Sequence, residues 1–472
     1  MFLALDQGSH ASRALVFDSD GNQLASAEQE ITTQRPEPGH VEHDPDAVVA
    51  SVHKAASEAL QQLENPVISA VGLATQRSSM LCWDRNTGQA LSPVLSWQDV
   101  RATRLLRPLM SHADEVRRIT GLHLSPHYGA GKLCWCLEEL PAVRSASLQQ
   151  TLAAGPLSSY LIAHLTMTRP ALVDPCNASR TLLYDVHQGR WSKSMLDMFE
   201  IDESILPRCR PNLFEYGELQ INGQSIPLRA VTGDQSAALF VEGAPDAHTV
   251  YLNAGTGAFL HAMVDDPEHA PEHLLGSVVL NDGQLLRYAA EATVNGAAAA
   301  LDWMAGLLNL PPDMWRKRLS AWIRACKNPP LFLNGVAGLG APYWLSSFES
   351  RLVGEAKPGA CMVAALESVV FLIQRNLAEF RGRMQRVLVT GGLAQVDVFC
   401  QLLADLSGIQ VSRSAYTEAT ARGVAWLAGG RPEHWNIDRP TLFTPKSQPG
   451  LENRYRRWLV QLNNAVRQDI FT

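Results

Sequence analysis

A carboxylate and a hydroxyl near the midpoint of the chain have the residue types and the spacing that phosphoryl transfer requires. Asp234 is followed by Gln235, and further along Thr256 stands between Gly255 and Gly257. A glycine turn between two strands presents backbone N–H groups that can cradle a phosphate. A nearby carboxylate can take the proton from an attacking hydroxyl. An ordinary helix N-cap followed by an ordinary hairpin fits the same residues, so both interpretations stay open on these segments alone.

Each of these groups is predicted to stand where a strand ends. A short strand precedes Asp234 and a helix-compatible apolar run follows it, so the carboxylate lies at a strand-to-helix corner facing a cleft. Residues 250–260 are typical of two strands joined by a tight turn. Residues 2–18 repeat this layout around a polar turn that begins at Asp6. Two such hairpins could close on one nucleotide from two sides.

Strands alternate with helices in both halves of the chain, and this pattern predicts an α/β protein. The apolar run 68–73 is a buried strand that ends in the polar residues 75–79, at the position where ligands bind in α/β sheets. A second such strand, residues 387–390, ends in two glycines. We expect two domains, residues 1–229 and residues 230–472, with a nucleotide and substrate site in the cleft between them.

The bulk composition limits the partners of the protein. At 472 residues the chain is too long for a single core, and its net charge is −7, from 40 basic and 47 acidic side chains. This balance argues against nucleic acid or an anionic membrane as the main partner. The first residues meet a charge at Asp6, and no apolar run of about 18 residues follows, so we expect a cytoplasmic protein. The eight cysteines lack paired spacing and are predicted to be reduced, buried thiols.

Taken in order, the motifs resemble the FGGY carbohydrate kinases of the actin-like ATPase superfamily, and are most similar to its glycerol kinase subgroup. The matching segments run from Leu3 to about Gly430 and comprise residues 6–8 with 12–13, 38–45, 76–77, 97–99, 177–181, 233–240, 255–257, 338–344 and 418–423. The resemblance implies two actin-like, ribonuclease H-like domains around a cleft. It also implies ATP and Mg²⁺ as cofactors and a small polyol or sugar as the phosphate acceptor.

The resemblance implies a role for each matching residue. Asp234 would be the general base, and Asp6 would help to hold Mg²⁺. The phosphate groups would be contacted by Ser9, Ser12, Arg13, Gly255, Thr256 and Gly257, and the adenosine would be approached by Gly391 and Gly392. The acceptor pocket would be lined by Arg77, Ser78, Trp97, Asp99, His127, Gln235 and Phe259.

Two departures from the family pattern concern the acceptor. Ser78 stands where glycerol kinases carry a glutamate, and His127 stands where they carry a tyrosine, with Tyr128 displaced by one position. Because specificity depends on pairing every buried polar group, the acceptor could be glycerol, a larger or differently hydroxylated polyol, or a ketose.

Three further departures concern the nucleotide. His10 and Ala11 replace small hydroxyl residues in the first turn, and Val396 stands near a position that is commonly polar. Together with Ser78, these three residues motivate an alternative function, a kinase-derived sugar or nucleotide sensor without turnover. Retention of Asp6 and Asp234 favours the kinase. By analogy with the family we also expect a homo-oligomer, a dimer or tetramer.

Overall fold

Two mixed β-sheets with helices on their faces organise the chain. The computed structural model describes residues 1–311, 314–380 and 384–470. The strands are β1 (Phe2–Gln7), β2 (Ala11–Phe17), β3 (Gln23–Glu30), β4 (Glu42–His43), β5 (Ala70–Thr75), β6 (Met80–Asp84), β7 (Val94–Leu95), β8 (Leu152–Pro156), β9 (Leu172–Val173), β10 (Tyr184–Asp185), β11 (Arg190–Trp191), β12 (Arg208–Cys209), β13 (Glu218–Ile221), β14 (Gln224–Gly233), β15 (Thr249–Ala254), β16 (Ala258–Val264), β17 (Leu275–Asn281), β18 (Leu286–Val294), β19 (Leu331–Leu333), β20 (Arg351–Val353), β21 (Arg386–Thr390), β22 (Gln410–Arg413) and β23 (Thr441–Phe443). The α-helices are α1 (Pro45–Gln61), α2 (Thr103–Leu106), α3 (Ala113–Thr120), α4 (Gly129–Glu139), α5 (Pro141–Leu148), α6 (Leu157–Leu165), α7 (Pro175–Ala178), α8 (Lys193–Met198), α9 (Asp234–Ala238), α10 (Ala298–Leu307), α11 (Met314–Ala325), α12 (Pro358–Leu377), α13 (Asp397–Ser407), α14 (Ala419–Ala428) and α15 (Pro449–Ile470).

The N-terminal sheet has six strands in the order β13-β14-β5-β1-β2-β3. Strands β1 and β2 form the predicted hairpin, and β1 and β14 both run parallel to β5. Side chains alternate across β1, so that Leu3 and Leu5 pack towards α1 while Ala4 faces the opposite side. Asp44 followed by Pro45 predicts a helix start, an N-cap with proline at the first helical position. Helix α1 begins there, and the Asp44 carboxylate accepts a hydrogen bond from the N–H of Ala47.

The C-terminal sheet has seven strands in the order β17-β18-β16-β15-β21-β22-β23. The predicted hairpin of β15 and β16 is confirmed, and β21 pairs with β15 in parallel. Within the described residues, Pro358–Phe380 is the one helix long and apolar enough to cross a membrane, but 83% of its most apolar window is buried. It is therefore the central core helix of this domain.

The boundary predicted between residues 229 and 230 is wrong because it falls inside strand β14. Val231 and Gly233 pair with Leu73 and Thr75 of β5, so the N-terminal sheet continues to Gly233. The second sheet starts at Thr249. The break in the sequence pattern near residue 230 is the end of a strand in the first domain, and the domain change follows it.

Helix α14 packs on the N-terminal sheet although it belongs to the C-terminal half of the sequence. It lies against α9, β1 and β5, in an apolar core shared by the two halves. Glycines permit the close approach: a Cβ on Gly72 would lie 2.5 Å from the carbonyl oxygen of Val424, and one on Gly423 would overlap the carbonyl of Ala237. Helix α14 therefore joins the two halves of the chain through a shared apolar core.

Candidate active site

Three parallel strands bring the chemically important side chains to one edge of the N-terminal sheet. Gln7 at the end of β1 and Gly233 at the end of β14 both pair with Thr75 of β5. Parallel strands present their carboxyl ends at the same edge. Asp6, Arg77 and Asp234 are therefore neighbours, although they are far apart in the sequence.

Asp234 is the first residue of α9, and its carboxylate is partly open to the cleft. The side chain is 23% exposed, and one carboxylate oxygen lies 3.8 Å from Nε of Arg77. The same oxygen accepts a hydrogen bond of 2.7 Å from the N–H of Gln235. Burial raises the pKa of Asp234, while Arg77 and the Gln235 N–H act against this shift. A carboxylate with a raised pKa and an open face suits proton abstraction from a bound hydroxyl.

Asp6 fits a divalent cation. Burial and the charge of Asp234 raise the pKa of Asp6 to about 7, against the opposing charge of Arg13. Arg13 is itself paired with Glu28, so the negative charge of Asp6 is poorly compensated. The described residues hold no group of three or more potential metal ligands. Mg²⁺ is commonly bound by one or two carboxylates together with substrate phosphates, and this donor set matches that mode.

Two of the three phosphate contacts predicted in the first hairpin are engaged by other protein groups, and one of the two, Ser12, points away from Asp6. Ser12 is buried, and because the Ser51 hydroxyl donates to the carbonyl of Val48, Ser12 donates its own proton to Ser51 Oγ at 2.8 Å. Adjacent residues of a strand point to opposite faces, so Ser12 and Arg13 cannot both face the cleft. Arg13 is on the face of Asp6 but donates two hydrogen bonds to Glu28. The phosphate role predicted for Ser12 is therefore corrected.

Ser9 lies in the turn itself. Its Oγ accepts a hydrogen bond of 2.8 Å from the indole N–H of Trp97, which joins the first hairpin to the predicted acceptor pocket. The hydroxyl proton of Ser9 is not used in this contact, so it can still be donated to a phosphate oxygen.

The second hairpin presents an exposed threonine. Thr256 is exposed, between Gly255 and Gly257. The carbonyl of Thr256 accepts hydrogen bonds from the N–H groups of Ala297 and Ala299, and these bonds anchor the turn on the start of α10. A Cβ at Gly257 would lie 3.1 Å from two backbone oxygens, whereas the nearest atom to one at Gly255 is 4.0 Å away.

Gly391 and Gly392, the predicted adenosine contacts, differ in what a side chain would meet. Gly391 has a φ of +87°, and its Cβ would lie 2.6 Å from the carbonyl oxygen of Ala254. A Cβ on Gly392 would have no protein atom within 4 Å. The turn after β21 requires glycine at position 391, because its φ is positive and its Cβ would clash with the backbone. Position 392 borders open space.

These two glycines provide a matched pair of variants. Gly391→Ala is expected to lower the free energy of unfolding by about 1–3 kcal/mol, because the turn becomes strained. Gly392→Ala is expected to leave unfolding within about 0.5 kcal/mol of wild type and to raise the KM for ATP, because its methyl group enters open space. Thermal unfolding and ATP kinetics test both. An unchanged KM in Gly392→Ala would remove this glycine from the nucleotide site.

Trp97, His127 and Ser78 lie on adjoining loops. His127 Nδ1 donates a hydrogen bond of 3.1 Å to the carbonyl of Trp97, which leaves Nε2 as an acceptor in the neutral ring. Burial and the nearby Lys132 lower the pKa of His127. Ser78 is buried with a φ of +65°, a left-handed conformation at the turn after β5. The wall predicted for the acceptor is thus formed by hydroxyl, imidazole and indole groups.

Asp99, predicted to contact the substrate, has its carboxylate occupied by other groups of the protein. It is fully buried, accepts a hydrogen bond of 2.6 Å from the N–H of Val41, and is paired with Arg101. Arg101 also donates to Glu42 and lies over the ring of Trp135. Arg101 lies two residues from Asp99 in the same turn and forms an ion pair with its carboxylate. The motif alone does not show this pairing and therefore predicts a pocket residue.

Gln235 and Phe259 approach from the C-terminal side. Gln235 Oε1 accepts a hydrogen bond of 3.2 Å from Asn253 Nδ2, which links α9 to β15. Phe259 is half-buried on β16, in register with Asn253 and Thr293 on the neighbouring strands. Both positions fit a pocket between the two domains.

A buried ionic cluster behind Asp234 was not predicted from the sequence. Glu291 of β18 accepts hydrogen bonds of 2.9 and 3.1 Å from Arg77 and of 2.9 Å from Arg180. Ser277 and His261 also donate to it, at 2.8 and 3.1 Å. The two arginines belong to the N-terminal domain and the other three residues to the C-terminal sheet. The cluster therefore joins the domains beside the candidate base.

The electrostatics of the cluster keep Glu291 ionised. Burial alone would raise its pKa, but Arg180, Arg77 and His261 hold it well below its usual value. Two contacts with Glu291 leave Arg77 with three further N–H groups of its five. The sequence signal was a single carboxylate in the apolar strand β18, which indicates a paired buried charge. Tyr128 lies under Arg180, with its ring centre 5.4 Å from the guanidinium carbon.

An ATP-dependent phosphotransferase with an alcohol group as acceptor needs a carboxylate and phosphate-binding turns beside a cleft between two domains. Asp234 and the two hairpins match this class of enzyme. Comparison with family models supports this class of enzyme. Residues 1–241 match the N-terminal domain of the FGGY family of carbohydrate kinases, and residues 250–430 match its C-terminal domain. The chain belongs to the FGGY family of carbohydrate kinases. The resemblance seen in the motifs is confirmed.

Individual proteins are similar to this chain over nearly its whole length. Glycerol kinase of Shewanella oneidensis is 31% identical over 97% of this chain and 96% of its own length, and that of Trichlorobacter lovleyi is 34% identical over 93% and 91%. The crystal structure of Plasmodium falciparum glycerol kinase with ADP has a TM-score of 0.86 at 22% identity, covering 99% of this chain and 98% of that one. Ligand-bound xylulose kinase from Lactobacillus acidophilus has a TM-score of 0.85 at 18% identity, covering 100% and 99%. The two-domain fold is confirmed.

Proposed function

We propose that this kinase phosphorylates a hydroxyl of a small acyclic polyol, with Asp234 as general base and Mg²⁺ held at Asp6. The observation that carries the proposal is the position of Asp234, open to the cleft and 3.8 Å from an arginine that has hydrogen-bond donors to spare. Relatives named glycerol kinase support an acyclic acceptor. Nothing in the fold or the comparisons favours the alternative of a sensor without turnover.

In the proposed reaction Asp234 takes the proton from the acceptor hydroxyl. The hydroxyl oxygen forms a bond to the γ-phosphorus while the bond from that phosphorus to ADP breaks. Arg77 donates to the acceptor and, held by Glu291, keeps its orientation. Mg²⁺ bound by Asp6 and the nucleotide would neutralise charge on the phosphates. Ser9 and Thr256 would donate hydroxyl protons to phosphate oxygens from the two hairpins.

The acceptor pocket offers partners for polyol hydroxyls but carries one charge fewer than a pocket with glutamate and tyrosine at positions 78 and 127. Ser78 removes a charged acceptor and leaves more space, while the neutral His127 offers Nε2 as one hydrogen-bond acceptor. Trp97 and Phe259 provide apolar faces for carbon atoms. We therefore propose glycerol or a C4 to C5 polyol as the substrate.

An ADP-release assay over glycerol, C4 to C6 polyols, ketoses and aldoses tests the proposal. One acceptor class should give turnover well above release without acceptor. Turnover on a ketose or aldose alone would replace the proposed polyol. Acceptor-independent release across the whole panel, with Mg-ATP bound normally, would favour the sensor.

The pH dependence of kcat should report the protonation of Asp6 and Asp234. Because burial raises the pKa of Asp234 and of Asp6, protonation at falling pH should remove activity at a pH above 3.8, the ordinary value of an aspartate. The apparent pKa belongs to the coupled pair. Higher Mg²⁺ should move the acid limb to lower pH because the cation favours ionised carboxylates. A limb near pH 4 that ignores Mg²⁺ would contradict this assignment.

We also propose a cytoplasmic location and a homo-oligomeric state. All eight cysteines are free thiols, as expected in a reducing compartment. Light scattering of the purified protein at several concentrations would give the number of chains.

A further inference from the structure

Lys132 is a fully buried cation whose three hydrogen bonds all go to backbone carbonyls. Its ammonium donates to the carbonyls of Ser78 at 2.8 Å, Ser96 at 2.7 Å and His127 at 2.7 Å. The residue has no solvent exposure. Every N–H of the ammonium is used, so the group is satisfied without a carboxylate in contact.

The three carbonyls belong to three separate segments that form the proposed acceptor wall. Ser78 follows β5, Ser96 follows β7 and directly precedes Trp97, and His127 precedes α4. The bond from His127 Nδ1 to the carbonyl of Trp97 joins two of these segments a second time. One side chain thus fixes the relative positions of all three.

We propose that Lys132 is a positioning residue that sets the geometry of the acceptor pocket, and that it acts through the backbone of Ser78, Trp97 and His127. The proposal rests on the proposed function, because it assigns the specificity of the same site. Lys132 touches neither acceptor nor nucleotide. Its removal should therefore weaken acceptor binding while ATP binding is retained.

The three carbonyl acceptors explain why an ammonium group is used at this position although burial disfavours its charge. Burial lowers the pKa of Lys132 to about 7, while Asp99 raises it and Arg101 lowers it. Asp99 is already paired with Arg101, and His127 is neutral. Three carbonyl acceptors need three N–H donors, which the ammonium supplies and a neutral amine does not. A purely apolar side chain would leave three buried carbonyls without donors.

The experiment compares Lys132→Met, which has no donors, with Lys132→Gln, which keeps two N–H groups. Glycerol and the best acceptor from the panel serve as probes. Lys132→Met should raise the acceptor KM by about 10-fold or more, as expected for buried groups left unpaired, with a smaller rise in Lys132→Gln. The KM for ATP should change by less than about twofold. Arg454→Met is the matched control, because it removes a half-buried cation paired with the buried Glu367 away from the cleft.

Crystal structures of the variants give a second measure that needs no acceptor. Residues 96–97 and 127 should shift in Lys132→Met. If wild type used no acceptor at all, the proposed function would fail, and this shift would still test Lys132. An unchanged acceptor KM, or unchanged loops, would overturn the proposal. So would failure of both Lys132 variants to fold while Arg454→Met folds, because that result would assign Lys132 to fold stability alone.

Discussion

Replacing Asp234 with asparagine should lower kcat by about 10³-fold, within the range that general-base catalysis contributes. Asparagine keeps the shape and can still accept the hydrogen bond from the Gln235 N–H, but it cannot take the proton of the acceptor. The KM for ATP should stay close to wild type because Asp234 lies at the acceptor end of the cleft. Stability should rise slightly, since a buried carboxylate with a raised pKa is removed.

Steady-state kinetics with the best acceptor and direct ATP titration measure this effect. Asp405→Asn is the matched control: Asp405 is also buried, but it accepts hydrogen bonds from Gln401 and the N–H of Lys446 in the C-terminal domain. Its kcat should remain near wild type. A kcat of Asp234→Asn within tenfold of wild type would mean that another group is the base.

Glu291→Gln should lower the free energy of unfolding more than any other variant described above, and it should also raise the KM for the acceptor. Loss of the carboxylate leaves Arg180 buried without its ion-pair partner and leaves Arg77 with only the more distant Asp234, and breaking a buried ion pair in this way costs about 3–5 kcal/mol. Because Arg77 loses its two fixed contacts, its remaining donors are no longer held towards the acceptor. The acceptor KM should therefore rise along with the loss of stability.

Urea unfolding and acceptor kinetics separate the two effects. Glu367→Gln breaks another buried ion pair of the same domain, the one with Arg454, and should lower stability without changing the acceptor KM. If the two variants gave the same kinetics, the cluster around Glu291 would be structural only. If Glu291→Gln were as stable as wild type, the buried charges would be compensated by groups outside the cluster.

The parts of the fold that depend on neighbouring residues could be predicted from the sequence. The two hairpins and the start of α1 at Asp44 follow from strand patterns and a capping residue, and the structure confirms them. Strand alternation also predicts the orientation of Ser12, since residues 12 and 13 of one strand face opposite sides of the sheet. For that residue, the local pattern was the better guide.

The parts that depend on distant residues could not be predicted in this way. Glu291 meets Arg77 across 214 positions of sequence, and no local pattern indicates which buried charges will pair. Asp99 was assigned to the pocket because its motif does not show that Arg101 and the N–H of Val41 occupy the carboxylate. Lys132 contacts three segments that become neighbours only after folding.

The position of α14 on the N-terminal sheet has a consequence for synthesis of the chain. The apolar face that β1 and β5 present to α14 remains uncovered until residue 428 has left the ribosome. The N-terminal half therefore cannot complete its core during translation, although most of its residues are made first. Its final folding must wait for nearly the whole polypeptide, and in the interval a chaperone would have an exposed apolar surface to bind.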